Sequence, residues 1–72
     1  MNIETLNYIY KLLIDAEELA HNRKEIAQRD LHDAEECDSK WIEITRACYN
    51  YAYKEWSKAF DALENFKNKK WN

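Results

Sequence analysis

The sequence predicts an all-α protein, a hairpin of two long helices that associates into a symmetric helical oligomer. Glycine and proline are both absent, so turns that need positive φ and the usual helix breakers are missing. Apolar residues recur at spacings of three, four and seven, the period of an amphipathic helix. A single domain of 72 residues hides only about 60% of the surface that its unfolded chain exposes. We therefore expect copies to associate in order to cover the rest.

The first helix is predicted over about residues 3–36. Its inward stripe comprises Ile3, Leu6, Ile9, Leu13, Ala16, Ala20, Ala27, Leu31 and Ala34. Tyr8, Tyr10, Leu12 and Ile14 add apolar bulk on other faces, so this helix is expected to bury more than one side. Residues 21–30 carry few large apolar side chains, which predicts thin packing there. A break between residues 28 and 33 is an alternative to one continuous helix.

A polar joint at residues 37–39 leads into a second helix, predicted over about residues 39–68. Asp38 or Ser39 is suited to cap it, because these side chains accept hydrogen bonds from free backbone N–H groups. Its inward stripe comprises Trp41, Ile44, Cys48, Ala52, Trp56, Ala59, Leu63 and Phe66. Tyr49, Tyr51 and Tyr53 spread around the circumference.

Charge is unevenly placed along the chain. Five acids and no Lys or Arg lie between residues 30 and 38, whereas Lys67, Lys69 and Lys70 crowd the C-terminus. The two segments are expected either to attract each other or to form a solvated acidic helix end and a basic tail. A net charge of −3 argues against general DNA or RNA binding, which needs a concentrated basic face.

The protein is expected to be cytoplasmic and to have no membrane partner. No apolar run approaches the roughly 18 residues that a membrane span requires, and nothing resembles a signal peptide. Without a secretion signal, Cys37 and Cys48 are expected to stay reduced.

The polar residues do not form a recognisable catalytic or metal-binding pattern. His32, Asp33, Glu36 and Cys37 supply ligand types for zinc, but their spacing lacks the paired pattern of zinc sites. No serine or cysteine is placed by a motif as a nucleophile beside His21. A glycine loop for phosphate is missing because there is no glycine. We expect no enzyme activity, catalytic residue, metal or cofactor.

Aromatic and basic residues alternate in two parts of the chain. One part contains Tyr8, Tyr10 and Lys11, and the other contains Lys40, Trp41, Arg46, Tyr49, Tyr53 and Lys58. Rings stack on bases, at about 1–3 kcal/mol per base by alanine substitution, and cations hold phosphates. The alternative is that the same rings form only the core or an interface.

One run in the second helix carries a resemblance to a known family. The helix opens with Asp38 and passes through an aromatic-rich middle; the matching residues are Lys40, Trp41, Ile42, Ile44, Lys58 and Ala59. This pattern resembles the phage family of small anti-CBASS sponge proteins. Residues 3–9 are similar to the family's aliphatic-acid-x-aliphatic-Asn-x-Ile segment. The family's N-terminal Gly-Tyr-basic segment has no counterpart before Ile3.

The resemblance implies a compact homo-oligomer, hexameric in the family, in the cytoplasm of an infected host cell. It would sequester cyclic di- and trinucleotide immune messengers, of the cyclic GMP-AMP type, without cleaving them. The ligand would lie between subunits, with Tyr8 or Tyr10 stacking on a base and Lys11 neutralising a phosphate. Arg46 and Lys58 would line a second, trinucleotide site.

Two other functions are compatible with the residues, and a third, an enzyme, is the least favoured alternative. A helical hairpin of this kind also suits a protein-protein interaction module or inhibitor that lays a helix face on its target. The acidic residues between 30 and 38 also fit a DNA mimic, although a mimic is expected to carry more acid than a net −3. For an enzyme, no set of residues can be assigned.

Overall fold

The computed structural model describes residues 2–37 and 40–69, which form two helices, α1 (Ile3–Glu36) and α2 (Ile42–Asn68). The helices are antiparallel, because Tyr10 near the start of α1 contacts Phe66 near the end of α2. The hairpin measures 54 × 15 × 13 Å. It has a turn end, where the chain passes from α1 to α2, and an open end, where α1 begins and α2 ends. The predicted all-α hairpin is confirmed.

Helix α1 begins at a side-chain cap. The Asn2 side chain accepts a hydrogen bond of 2.9 Å from the backbone N–H of Thr5, which satisfies one of the free donors of the first turn. Glu4 adds a negative charge beside the positive end of the helix dipole. The helix then runs without interruption through residues 28–33, so the alternative of a break there is wrong.

Helix α2 begins at Ile42, three residues after the predicted start at residue 39. The Thr45 hydroxyl donates to the carbonyls of Trp41 and Ile42, at 3.2 and 2.9 Å, and ties the first turn together. Trp41, the residue before the helix, makes no side-chain capping bond. The caps predicted at Asp38 and Ser39 lie outside the described residues.

The interface between the two helices is narrow. Among the described residues only Ala34 and Leu63 are buried, at 8% and 7% exposed. Half-buried residues continue the contact along both helices; they include Leu6, Ile9, Leu13, Ala20, Ala27 and Leu31 in α1 and Ala52, Trp56, Ala59 and Phe66 in α2. Such shallow burial leaves the hairpin with little core of its own.

The inward stripe predicted for the start of α2 is wrong at three positions. Trp41 and Ile44 are each 55% exposed, and Cys48 is exposed as well. The half-buried residues there lie one position later in the chain and are Ile42, Thr45 and Tyr49. Both sets continue to Ala52 with helical spacing, so spacing does not distinguish them. In the half-buried set, the Tyr49 ring also contacts the Tyr53 ring, with centroids 6.2 Å apart.

The antiparallel arrangement separates the two charged segments. The acidic residues that follow residue 29 lie at the turn end, and the lysines near the end of α2 lie at the open end, in a molecule 54 Å long. Charges attract each other strongly only within about 8–10 Å at ordinary ionic strength. The predicted attraction of the two segments within one chain is therefore wrong.

Within the described ranges, neither helix has the length and apolar content that crossing a membrane requires.

Leu63→Ala is expected to lower the free energy of unfolding by about 2–5 kcal/mol, because it removes the largest buried side chain from a thin interface. Urea unfolding followed by circular dichroism measures this loss. Ile3→Ala is the control: Ile3 is 72% exposed, and its truncation should change stability by less than about 0.5 kcal/mol. Equal losses in the two variants would contradict the assignment of the core.

Candidate functional site

A groove between the two helices is the best-formed concave surface of the hairpin, with a volume of about 330 Å³. Its floor consists of four alanines, Ala16, Ala20, Ala52 and Ala59. Leu19, Arg23, Tyr51 and Glu55 also line it. Because alanine has no side chain beyond Cβ, the helices leave a channel here that a ligand or another helix can enter. Small-molecule sites occupy about 300–1,000 Å³, so this groove lies at the lower end of that range.

Two exposed apolar stripes flank the groove. Leu12, Leu19 and Ile26 recur every seven residues along α1 and are 50%, 53% and 55% exposed. Ile44 and Tyr51 are seven residues apart on α2 and are 55% and 68% exposed. Leu19 and Tyr51 line the groove themselves, and seven-residue spacing keeps the others on the same side of each helix. We call this surface, the stripes together with the alanine floor, the groove face.

The groove carries both signs of charge. Arg23 lines it from α1, and Glu55 lines it from α2. Glu55 pairs with Lys58 of its own helix at 3.6 Å, and the Lys58 side chain is 76% exposed. Within residues 2–37 and 40–69, Arg23 pairs with no carboxylate. A cation beside an apolar floor is suited to an anionic group on a ligand or a partner.

The opposite side of α2 carries a continuous row of rings, here called the aromatic ladder: Tyr49, Tyr53, Trp56 and Phe60. Neighbouring ring centroids in this row lie 6.2, 5.8 and 5.3 Å apart. The planes are tilted by 34–54°, and tilted contacts at these distances are favourable between aromatic quadrupoles.

Helix α1 covers the centre of the aromatic ladder with polar groups. The Trp56 indole Nε1 donates to Glu17 Oε1 at 2.9 Å. The Lys24 ammonium lies 4.0 Å from the Trp56 ring centroid, a cation–π contact. The centroid of the His21 ring lies 6.3 Å from that of Trp56. The Trp56 ring therefore has its partners within its own chain, and we assign the ladder a structural role in joining the helices.

Three of the predicted ligand-binding residues lie near the open end. Tyr8 is 65% exposed, and Lys11, also exposed, is three residues further along the same helix surface. Tyr10 is half-buried and stacks on Phe66, with centroids 5.8 Å apart and planes 27° apart. One face of the Tyr10 ring is thus occupied by its own chain, and Tyr8 is the ring left open to a ligand.

The other two predicted residues lie elsewhere on the hairpin. Lys58 lies at the edge of the groove through its ion pair with Glu55. Arg46 is exposed near the start of α2. With 1.5 Å of rise per residue, Arg46 is about 30 Å from Tyr8 along the hairpin. A single chain therefore does not bring the five residues together.

Four residues of the groove were not among the predicted site residues: Leu19, Arg23, Tyr51 and Glu55. The signal for them was present in the seven-residue recurrence of Leu12, Leu19 and Ile26, which marks a second apolar stripe on α1. Tyr51 was recognised only as one ring on a crowded circumference. Each helix has more than one apolar stripe, and the rotation of the helix about its own axis decides which stripe faces the other helix.

The remaining polar clusters are simple helix-surface pairs. His21 pairs with Glu25 at 2.9 Å and His32 with Glu36 at 3.1 Å, each one turn apart. A second, more open hollow of about 270 Å³ is lined by Gln28, Leu31, His32, Glu35 and Tyr49. In the part of the chain that the structure describes, no three His, Cys, Asp or Glu side chains are placed to hold a metal ion together.

Lys24→Gln is expected to lower the free energy of unfolding by about 0.5–2 kcal/mol, because it removes the cation from the Trp56 ring. Urea unfolding of both proteins gives the difference. Lys54→Gln removes the same charge from an exposed position and should cost less than about 0.5 kcal/mol. If the two variants lost the same stability, the contact between Lys24 and Trp56 would not hold the helices together.

The chain matches no protein-family model, no curated protein and no solved structure. The resemblance to the sponge family therefore depends only on the residues that carry it. Residues 3–9 form the first turns of α1 at the open end. The matching residues of the second run begin at the turn end with Trp41, Ile42 and Ile44 and continue along α2 to Lys58 and Ala59.

Proposed function

We propose that the protein binds and sequesters cyclic di- and trinucleotide immune messengers without cleaving them. The observation that carries this proposal is a repeated pair on the exposed surface. Tyr8 is followed three residues later by Lys11, and Tyr51 is followed three residues later by Lys54. Both tyrosine rings are about two-thirds exposed, at 65% and 68%. Each pair offers one face for a base and one cation for a phosphate.

The chemistry of a cyclic oligonucleotide matches this arrangement. Such a ligand has two or three bases and as many phosphates, so it needs several rings and several cations at once. Arg23 adds a positive charge at the groove beside Tyr51, and Lys58 lies at the groove edge, where it pairs with Glu55. Charge-assisted hydrogen bonds to phosphate are about twice as strong as neutral ones. Two or three such contacts with base stacking can reach the roughly −12 kcal/mol of a nanomolar Kd.

An assembly of hairpins is part of the proposal. The groove of one hairpin, about 330 Å³, accommodates part of a small ligand, and the two tyrosine and lysine pairs lie far apart on one chain. A site between subunits brings in rings and cations from a second copy. The resemblance to the sponge family supports the same arrangement.

A protein-binding module is the second candidate, and the groove face favours it. Leu12, Leu19 and Ile26 form an exposed stripe with the spacing of helix-in-groove recognition. A helix of another protein could lie along this stripe. A stable complex with that protein in the absence of any nucleotide distinguishes this function from messenger capture.

Calorimetric titration with cyclic di-AMP, cyclic di-GMP, cyclic GMP-AMP and cyclic tri-AMP tests the main proposal. We expect tight binding of at least one of them, and the ligand recovered by chromatography should be intact. No heat from any of the four at micromolar concentrations would reject messenger capture. Conversion of the ligand during the titration would instead reveal an enzyme.

Tyr8→Ala and Tyr51→Ala are each expected to weaken that binding by about 1–3 kcal/mol, because each removes one stacking surface. Tyr8→Phe and Tyr51→Phe keep the ring and should keep the affinity. Circular dichroism of all four variants should show unchanged helix content, because both side chains are mostly exposed. Equal affinities of the Ala and Phe variants would show that neither ring stacks on a base.

A further inference from the structure

The exposed stripe of α1 is symmetric about its middle residue. Leu12 and Ile26 lie seven residues before and after Leu19, and all three are about half exposed. When two such helices cross antiparallel with Leu19 against Leu19, Leu12 of each copy meets Ile26 of the other. All three positions are then filled by apolar pairs, as in an antiparallel coiled coil. The flanking alanines of the groove allow the close approach that this packing needs.

The hairpin exposes more surface than a compact protein of its size. A monomer of 8.8 kDa is expected to expose about 4,800 Å², whereas this chain exposes 5884 Å². The excess is about 1,100 Å². A stable pair of proteins buries about 800 Å² on each partner. The surplus surface of the whole hairpin is therefore as large as the area that one stable pairing covers on each partner.

The distribution of charge favours the antiparallel orientation. At the turn end α1 carries Asp30, Asp33, Glu35 and Glu36. At the open end Lys11, Lys67 and Lys69 are accompanied by Glu4 and Glu64, and Glu64 pairs with Lys67 at 3.6 Å, so that end carries little net charge. A parallel pair would place the two acidic ends together, whereas an antiparallel pair places the acidic end of each copy over the lysine-bearing end of the other and avoids that repulsion.

We propose that a second copy of this chain occupies the groove face, in an antiparallel dimer whose two-fold axis passes through Leu19. The acidic end of each copy then lies over the lysine-bearing end of the other. The occupant is thus identified by apolar symmetry, by area and by charge.

The pairing also bears on ligand binding, and this step rests on the proposed function. On one hairpin, Tyr8 and Tyr51 are separated by about 24 Å along the axis. In the antiparallel dimer, Tyr8 of one copy lies only about 9 Å along the axis from Tyr51 of its partner. Two base-stacking surfaces, each with its lysine, then lie on opposite subunits of one site.

Directed cross-linking tests the register without any nucleotide. In a background with Cys37→Ser and Cys48→Ser, Leu19→Cys should form a disulfide-linked dimer on oxidation, because the two thiols meet at the two-fold axis. Leu12→Cys is the matched control and should stay unlinked, since its two copies are about 21 Å apart. A mixture of Leu12→Cys with Ile26→Cys should link. Self-linking of Leu12→Cys as fast as Leu19→Cys would overturn the antiparallel register.

Sedimentation of the unmodified protein tests the occupant itself. We expect the mass of at least two chains at micromolar concentration, and Leu19→Arg should reduce it to one chain while helix content stays unchanged. Asn50→Arg adds the same charge at another exposed position and should leave the mass unaltered. A native protein that sediments as a single chain would overturn the proposal and leave the groove face to a different protein. Because no nucleotide is present, a failure of pairing is distinguishable from a failure of messenger binding.

Discussion

A hairpin of two helices offers each helix only one neighbour, and this constraint governs the structure. An α-helix can bury one stripe against a single partner, but α1 carries two apolar stripes and α2 carries apolar or aromatic residues around much of its circumference. As a result, Ala34 and Leu63 are the only buried residues in ranges 2–37 and 40–69. The remaining apolar surface stays exposed and makes the hairpin suited to association.

The two sides of the hairpin differ in the size of the side chains that lie between the helices. On the side of the aromatic ladder, large rings contact each other and Trp56 is held by Glu17 and Lys24 of α1, so the space between the helices is filled. On the groove face the facing residues are alanines, which leave a channel about 330 Å³ in volume. The filled side stabilises the hairpin, and the open side is available for a partner or a ligand.

Charged residues are distributed unevenly along the length of the hairpin. The antiparallel helices carry acidic residues to one end and lysines to the other, at a distance that ordinary ionic strength screens. The two segments therefore contribute little to each other's stability within one chain. Between two chains the same charges can meet at close range, where they favour one orientation of association over another.

The sequence by itself determined the helices and their approximate length, because a chain without glycine or proline and with three- and four-residue apolar spacing has few alternatives to long helices. Its prediction of candidate ligand contacts comprises Tyr8, Tyr10, Lys11, Arg46 and Lys58. Only the tertiary structure decided which apolar residues turn inward. Trp41, Ile44 and Cys48 have the same helical spacing to Ala52 as their inward neighbours, so periodicity alone cannot separate the two sets. The rotation of α2 is set by contacts over long sequence distances, Tyr10 with Phe66 and Trp56 with Glu17, and these do not appear in any local pattern.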